Sequence, residues 1–214
     1  MSITQLWGVP IYKESTELTL SNFNKDEIKS IQIQENKQNK FAGKPKILYG
    51  DDKGKILNDI SLKRISNLID YHVEIYRKKI MGIKQKLVRT ASWITIQGQG
   101  DNHQLHNHKQ SVISVSFYPQ VDSGKLKLKA VNEKNSFQEH YHFGYTYNKK
   151  NVFNSPSWDI EVKSGDIVIF PGYVRHGSTT NLSKNKRIMI GSNYMPVGDM
   201  VFIDELDSIN MEIK

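Results

Sequence analysis

Gly165-Asp166-Ile167-Val168-Ile169-Phe170-Pro171-Gly172, followed closely by His176-Gly177, is the stretch that decides the fold of this 214-residue chain. A glycine turn, a short run of β-prone apolar residues and a second turn describe a buried strand that stops abruptly and delivers a histidine. The same pattern recurs on both sides. Val88, Trp93-Ile94-Thr95-Ile96, Val112 to Tyr118, Leu126-Lys127-Leu128, Trp158 to Val162 and Arg187-Ile188-Met189-Ile190 are further β-prone runs, with turn signals at Gly98/Gly100, Ser123-Gly124 and Ser164-Gly165. Regularly spaced short strands of this kind predict a barrel or jelly roll over residues 87–197.

Upstream of position 86 the period is different. Leu6 to Tyr12 suits an extended segment, with Pro10 restricting it to an edge or a bulge. Ser21 to Asn24 can cap a helix through Ile28 and Ile31. A stronger helix is expected over about 59–80, where Ile60, Ile65, Leu68, Ile69, Tyr71, His72, Ile75 and Tyr76 recur at three- and four-residue intervals. Asp59 or Ser61 can cap it, Gly82 lies just beyond it, and His72 reads as a packed or hydrogen-bonded histidine. Residues 132–155 read as an insertion or loop, and 198–214 as a tail with a short docking segment. The whole, 1–214, reads as one mainly β domain with N-terminal helices, since a chain of this length buries about 70% of its unfolded surface in a single core.

Composition narrows the chemistry. The chain has no cysteine, which excludes thiolate zinc sites, iron–sulfur clusters, cysteine nucleophiles and disulfides. Its net charge of +8 is dispersed over short groups such as Arg77-Lys78-Lys79 and Lys184/Lys186/Arg187. Without a basic tail or a groove-reading motif, nucleic acid is a permitted partner that no motif supports. No run reaches the roughly 18 apolar residues of a membrane span, and the N-terminus lacks the pattern of a signal peptide. A cytoplasmic location is the expectation.

Five of the seven histidines lie between positions 103 and 142, and His176 follows the decisive strand. In His106-Asn107-His108 the two histidines are two residues apart, a spacing that on a strand directs both rings to one face. A barrel can bring His176 to the same point from a distant strand. Three neutral imidazoles that leave coordination positions open suit Fe(II), Mn, Ni or Zn. His103 reads as a polar turn residue, and His140 and His142 as facing solvent or substrate. Eleven residues after His176, Arg187 opens another apolar strand. If that strand runs antiparallel to the one near His176, the guanidinium points into the barrel, where a carboxylate is its best partner.

Taken in order, Trp93 to Ile96, His106-Asn107-His108, Ser111 to Ser114 with Phe117-Tyr118, Gly165-Asp166, Phe170-Pro171, His176-Gly177 and Arg187-Ile188 resemble the core of the Fe(II)/2-oxoglutarate-dependent oxygenases. They are most similar to a group found in bacteria and phages and related to the prolyl hydroxylases. The resemblance covers about residues 88–195 together with Trp7 to Tyr12. It implies a double-stranded β-helix, a jelly roll like that of the cupins, holding Fe(II) through His106, His108 and His176. Arg187 would bind the distal carboxylate of the co-substrate 2-oxoglutarate, with Tyr118 donating to the same carboxylate. With O2, such an enzyme hydroxylates a small-molecule or peptidyl substrate and releases succinate and CO2.

The sequence departs from the wider superfamily at His108, where Asp or Glu is usual. The site is therefore all-histidine, as in the closer group, or takes its anion from a residue such as Asp101. Met189 stands where many relatives carry a small hydroxylated residue, and Val115 where the closer group has glycine. The alternative to an enzyme is a non-catalytic β-barrel that binds a ligand or protein and retains a metal site. Neither substrate identity nor oligomeric state is encoded in any motif.

Overall fold

The computed structural model describes residues 8–38, 43–52, 54–122, 127–131, 146, 148, 149, 151, 154, 155, 157–201 and 208–212. Two antiparallel sheets form its centre. The larger contains β1 (Tyr12–Ser15), β2 (Lys46–Leu48), β3 (Lys86–Gln97), β5 (Ile113–Gln120), β8 (Asp166–Pro171) and β10 (Arg187–Val201), in the order β1-β8-β5-β10-β3-β2, with β11 (Ser208–Met211) paired to β10. The smaller contains β4 (His103–His106), β6 (Lys127–Val131), β7 (Ser157–Glu161) and β9 (Arg175–Ser178), in the order β4-β9-β6-β7. Strands distant in sequence interleave within both sheets, and the mainly β, double-stranded β-helix architecture is the one expected.

Strict alternation splits the larger sheet into two chemistries. Ile94 and Ile96, Ile113, Val115 and Phe117, Ile167 and Ile169, and Ile188 and Ile190 are buried in one cluster with Leu62, Ile65, Ile69, Val73 and Tyr76 of the helical layer. Val115 therefore belongs to the helix-facing core and does not touch the barrel interior. The opposite face carries Trp93, Thr95, Gln97, Ser116, Tyr118 and Met189 toward the smaller sheet. Val168, Phe170 and Tyr118 pack there with Val162 and the partly buried Ile160.

The helical layer follows from local signals. Helix α1 (Lys25–Asn36) starts at Asn24, whose side chain accepts from the Glu27 N–H while Glu27 returns a bond to the Asn24 N–H. Such a reciprocal box satisfies two orphan donors and contributes about 1 kcal/mol. Helix α2 (Lys63–Ile75) is preceded by a short 3₁₀ turn capped by Asp59 and ends in a π-helical turn over Tyr76–Ile80. The single long helix read from the sequence is thus three helical segments in series. Arg89 of β3 and Tyr194 of β10 both bond Asp70 of α2, at 2.6 Å each, which ties helix to sheet. His72 shares a 2.8 Å hydrogen bond with the Tyr12 hydroxyl, the packed role expected of it.

The turn into β8 needs its glycine. Gly165 has φ +91°, and a Cβ there would stand 2.4 Å from the Thr16 carbonyl oxygen, so a side chain meets both a left-handed backbone and another strand. Asp166 follows, fully buried, paired with Lys13 at 3.0 Å and accepting from Ser15 at 2.9 Å. Together these contacts fasten β1 to β8, the strand that leads to His176.

Candidate metal and co-substrate site

His106 ends β4, His176 lies directly opposite it on β9, and His108 follows just beyond the strand. One ring nitrogen of each lies within 4.8 Å of the other two. The sequence reading placed both His106 and His108 on a strand. In the structure the chain leaves β4 after His106, and His108 is fixed by its backbone N–H donating to the Gly172 carbonyl at 2.9 Å. The two rings therefore meet edge to face, with centroids 5.0 Å apart, from different directions.

Two of the three rings are oriented by backbone. Nδ1 of His106 lies 2.8 Å from the Gln104 carbonyl and Nδ1 of His176 lies 2.9 Å from the Val174 carbonyl. A carbonyl can only accept, so each Nδ1 carries a proton, and in the neutral ring that tautomer leaves the lone pair on Nε2. Burial pushes the pKa of His176 down to about 3 and that of His108 to about 4, with the neighbouring imidazoles acting in the same direction. Neutral rings are the state that a metal requires.

His103, expected in a turn, is the first residue of β4, and its ring lies tilted by 42° against that of His106 with centroids 4.4 Å apart. It lines the pocket without joining the three convergent nitrogens. Asp101, the alternative source of an anion, is buried and accepts from the Gly98 N–H at 2.7 Å, outside that group. His140 and His142 lie outside the described residues.

Arg187 is 2% exposed, buried within the barrel rather than at its surface. Its strand, β10, pairs with β3 and β5 rather than with the strand bearing His176, so it enters the barrel from the larger sheet, opposite Gln97. Nη1 donates to Gln97 Oε1 at 3.1 Å and to the Thr179 carbonyl at 2.8 Å, while Nε has no partner among the described residues. Both acceptors are neutral. Burial draws the guanidinium pKa down to about 10, opposed by Tyr118, and raises the Tyr118 hydroxyl to about 12. A buried cation bonded only to neutral oxygens is a costly arrangement that an incoming carboxylate relieves.

Between His106 and His176 on one side and Gln97 and Tyr118 on the other lies a pocket lined also by Trp93, Thr95 and Met189. Thr95 Oγ1 is buried there without a hydrogen-bond partner among the described residues. Polar groups left unpaired on the wall of a pocket fit a small polar ligand better than an apolar one. Three neutral imidazoles with open positions fit a divalent metal of the Fe(II) type.

Residues 91–193 match the sequence family described as "Putative 2OG-Fe(II) oxygenase". This part of the chain belongs to the 2-oxoglutarate–Fe(II) oxygenases. The fold agrees with solved structures of low sequence identity. The non-heme alpha-ketoglutarate-dependent carbocyclase SnoK from nogalamycin biosynthesis superposes with a TM-score of 0.61 at 12% identity, covering 89% of this chain and 81% of that one. HygX from Streptomyces hygroscopicus, crystallised with nickel and 2-oxoglutarate, gives 0.53 at 12% identity, covering 88% and 83%. The epimerase SnoN, in complex with Fe3+ and alpha-ketoglutarate, gives 0.58 at 8% identity, covering 88% and 80%. No curated protein matches the chain in sequence. Among the described residues no helix is long and apolar enough to cross a membrane.

Proposed function

We propose that this oxygenase is a hydroxylase in which His106, His108 and His176 hold Fe(II) through their Nε2 atoms, and Arg187 and Tyr118 bind the distal carboxylate of 2-oxoglutarate. The observation that carries the proposal is Arg187. It is a buried cation with, among the described residues, an unpartnered Nε and no anionic hydrogen-bond partner, and it is bonded to Gln97, which lines the same pocket as His106 and His176.

Iron, 2-oxoglutarate and O2 together supply the oxidation: one oxygen atom converts a substrate C–H to C–OH, and the other enters succinate as 2-oxoglutarate loses CO2. The remaining work belongs to the protein. Arg187 and Tyr118 fix one end of the co-substrate, and the fork of the guanidinium matches a carboxylate in two bonds. Gln97, bonded to Ser178 at 2.9 Å and to Arg187, prevents the guanidinium from turning away. Met189 lines the pocket and packs on the apolar cluster of Val168 and Phe170, which gives the pocket one water-poor side.

The substrate is taken to approach along the smaller sheet. Trp158, Ala130, His176 and His106 form one row across β7, β6, β9 and β4. By this register Trp158, His176 and His106 share a face, and Trp158 is also two residues from Ile160, which packs inward. Trp158 is 45% exposed and two strands, roughly 10 Å, from His176. That position suits contact with the flat or ring-shaped part of a small-molecule or peptidyl substrate. SnoK and SnoN are a carbocyclase and an epimerase, so oxidation outcomes other than hydroxylation are the alternatives to be tested.

Anaerobic titration of the Fe(II)-loaded protein with 2-oxoglutarate should develop a visible charge-transfer band, and admission of O2 should yield succinate. Absence of both overturns the proposal. A product heavier by one oxygen atom marks hydroxylation, whereas a product lighter by two hydrogens, or an unchanged mass, marks the other outcomes.

A further inference from the structure

His108 differs from the other two histidines in what holds its Nδ1. Where His106 and His176 meet backbone carbonyls, His108 meets the side-chain amide of Asn193, with Nδ2 3.3 Å from Nδ1. The amide oxygen of Asn193 accepts from Ser114 Oγ at 2.9 Å. Asn193 and Ser114 lie opposite each other on β10 and β5. Turning the amide by a half rotation exchanges both roles and preserves both bonds: Nδ2 donates to Ser114 Oγ, whose hydroxyl can equally accept, and Oδ1 accepts from His108 Nδ1–H.

The two orientations differ in consequence. With Nδ2 toward the ring, His108 accepts at Nδ1 and carries its proton on Nε2, the nitrogen that Asn193 leaves for a metal, and cannot ligate through it. With Oδ1 toward the ring, the proton sits on Nδ1 and Nε2 is free, as in His106 and His176. The ring plane is held independently by Trp93, whose centroid lies 5.2 Å from that of His108.

We propose that Asn193 is a positioning residue that selects the Nδ1–H tautomer of His108, with Ser114 as the switch that lets its amide turn when metal binds. The inference rests on the assignment of the three histidines as a metal site. It explains how a histidine can occupy a position where a carboxylate, which needs no tautomer, is usual in the wider superfamily. It also gives Ser114 a role that backbone pairing alone does not require.

Two measurements test this. In the Zn(II)-loaded protein, long-range ¹H–¹⁵N NMR of the histidine rings should show His108 protonated at Nδ1 and metal-bound at Nε2; protonation at Nε2 overturns the proposal. Metal affinity by chelator competition should fall about 10- to 100-fold in Asn193→Leu, the range for loss of a partner that orients a ligand, and be retained in Asn193→Asp, which can only accept. Equal affinity in Asn193→Leu and wild type, or equal weakening in both variants, overturns it. If Asn193→Leu fails to fold, the wild-type NMR result decides alone. A wild-type chain that binds neither Zn(II) nor Fe(II) overturns the metal assignment itself, whereas a metal-binding wild type with the wrong tautomer overturns only the role of Asn193.

Discussion

Gly191 sits directly across the β3–β10 ladder from Trp93, and a Cβ at position 191 would stand 2.4 Å from the indole ring. The glycine lets the indole lie flat over its own strand and reach His108. Substitution Gly191→Ala must push the ring aside, and overpacking of this kind costs about 1–3 kcal/mol. The variant should melt at lower temperature and bind metal more weakly than wild type, because the displaced indole also releases the His108 ring. Unchanged melting and metal affinity would show that Trp93 has room to move.

Arg187 should be worth more to ligand binding than to folding. Arg187→Met removes a buried cation whose bonds go to neutral oxygens, and replacing such a group by an apolar side chain of similar size is often neutral or stabilising. The ligand-free variant should therefore melt at or above the wild-type temperature. Adding 2-oxoglutarate to the metal-loaded protein should reverse the order. Ligand at 100 times its dissociation constant stabilises by about 2.7 kcal/mol, a gain wild type should show and Arg187→Met should not. Thermal scans with and without 2-oxoglutarate measure both halves, and an equal ligand-induced shift in the two proteins would remove Arg187 from the site.

The sequence made the faces of the strands legible, but not their partners. Alternation in Trp93 to Gln97 and in Ile113 to Tyr118 assigns each side chain to a face, because the period of a strand is a local property. Pairing is not local. Nothing in the run from Arg187 says that it lies beside β3 and β5 rather than β9, so Arg187 was expected inside the barrel by a strand pairing that does not exist. Strands β4 and β9 hide for another reason: His103-Gln104-Leu105-His106 and Arg175-His176-Gly177-Ser178 contain few β-formers, and neighbouring backbone rather than propensity makes them strands. Asn193 lies beyond the apolar run that ends at Ile190, where no hydrophobic signal marks the strand as continuing. Continuing the period of two through Arg187, Met189 and Gly191 would have placed it on the pocket side.

Acid should destabilise the metal-free protein. Burial holds His103 and His108 near a pKa of about 4 and His176 near about 3, against an ordinary value of 6.5. As pH falls the unfolded chain takes up these protons first, so the stability linked to the three groups is intact above about pH 6.5 and is lost progressively toward pH 3–4. Melting temperature should decline through that window, and replacing His103 by Gln should make the decline shallower while leaving the three convergent histidines in place. A flat profile between about pH 7 and about pH 4 would contradict the burial of these rings.

Trp158 should affect the substrate and spare the co-substrate. It shares a row with His176 and His106 but lies two strands away, and it is absent from the residues that line the pocket beneath Arg187. In Trp158→Ala, Fe(II) and 2-oxoglutarate should bind as in wild type. Oxidation of the substrate should weaken through KM rather than kcat, by about 10-fold if an aromatic contact of 0.5–1.5 kcal/mol and part of its buried area are lost. A phenylalanine at 158 should recover most of the loss, since it restores a ring face without the indole N–H. Loss of 2-oxoglutarate binding in Trp158→Ala would mean that the indole supports the co-substrate pocket instead, and the path taken by the substrate would then have to be sought on the other side of the histidines.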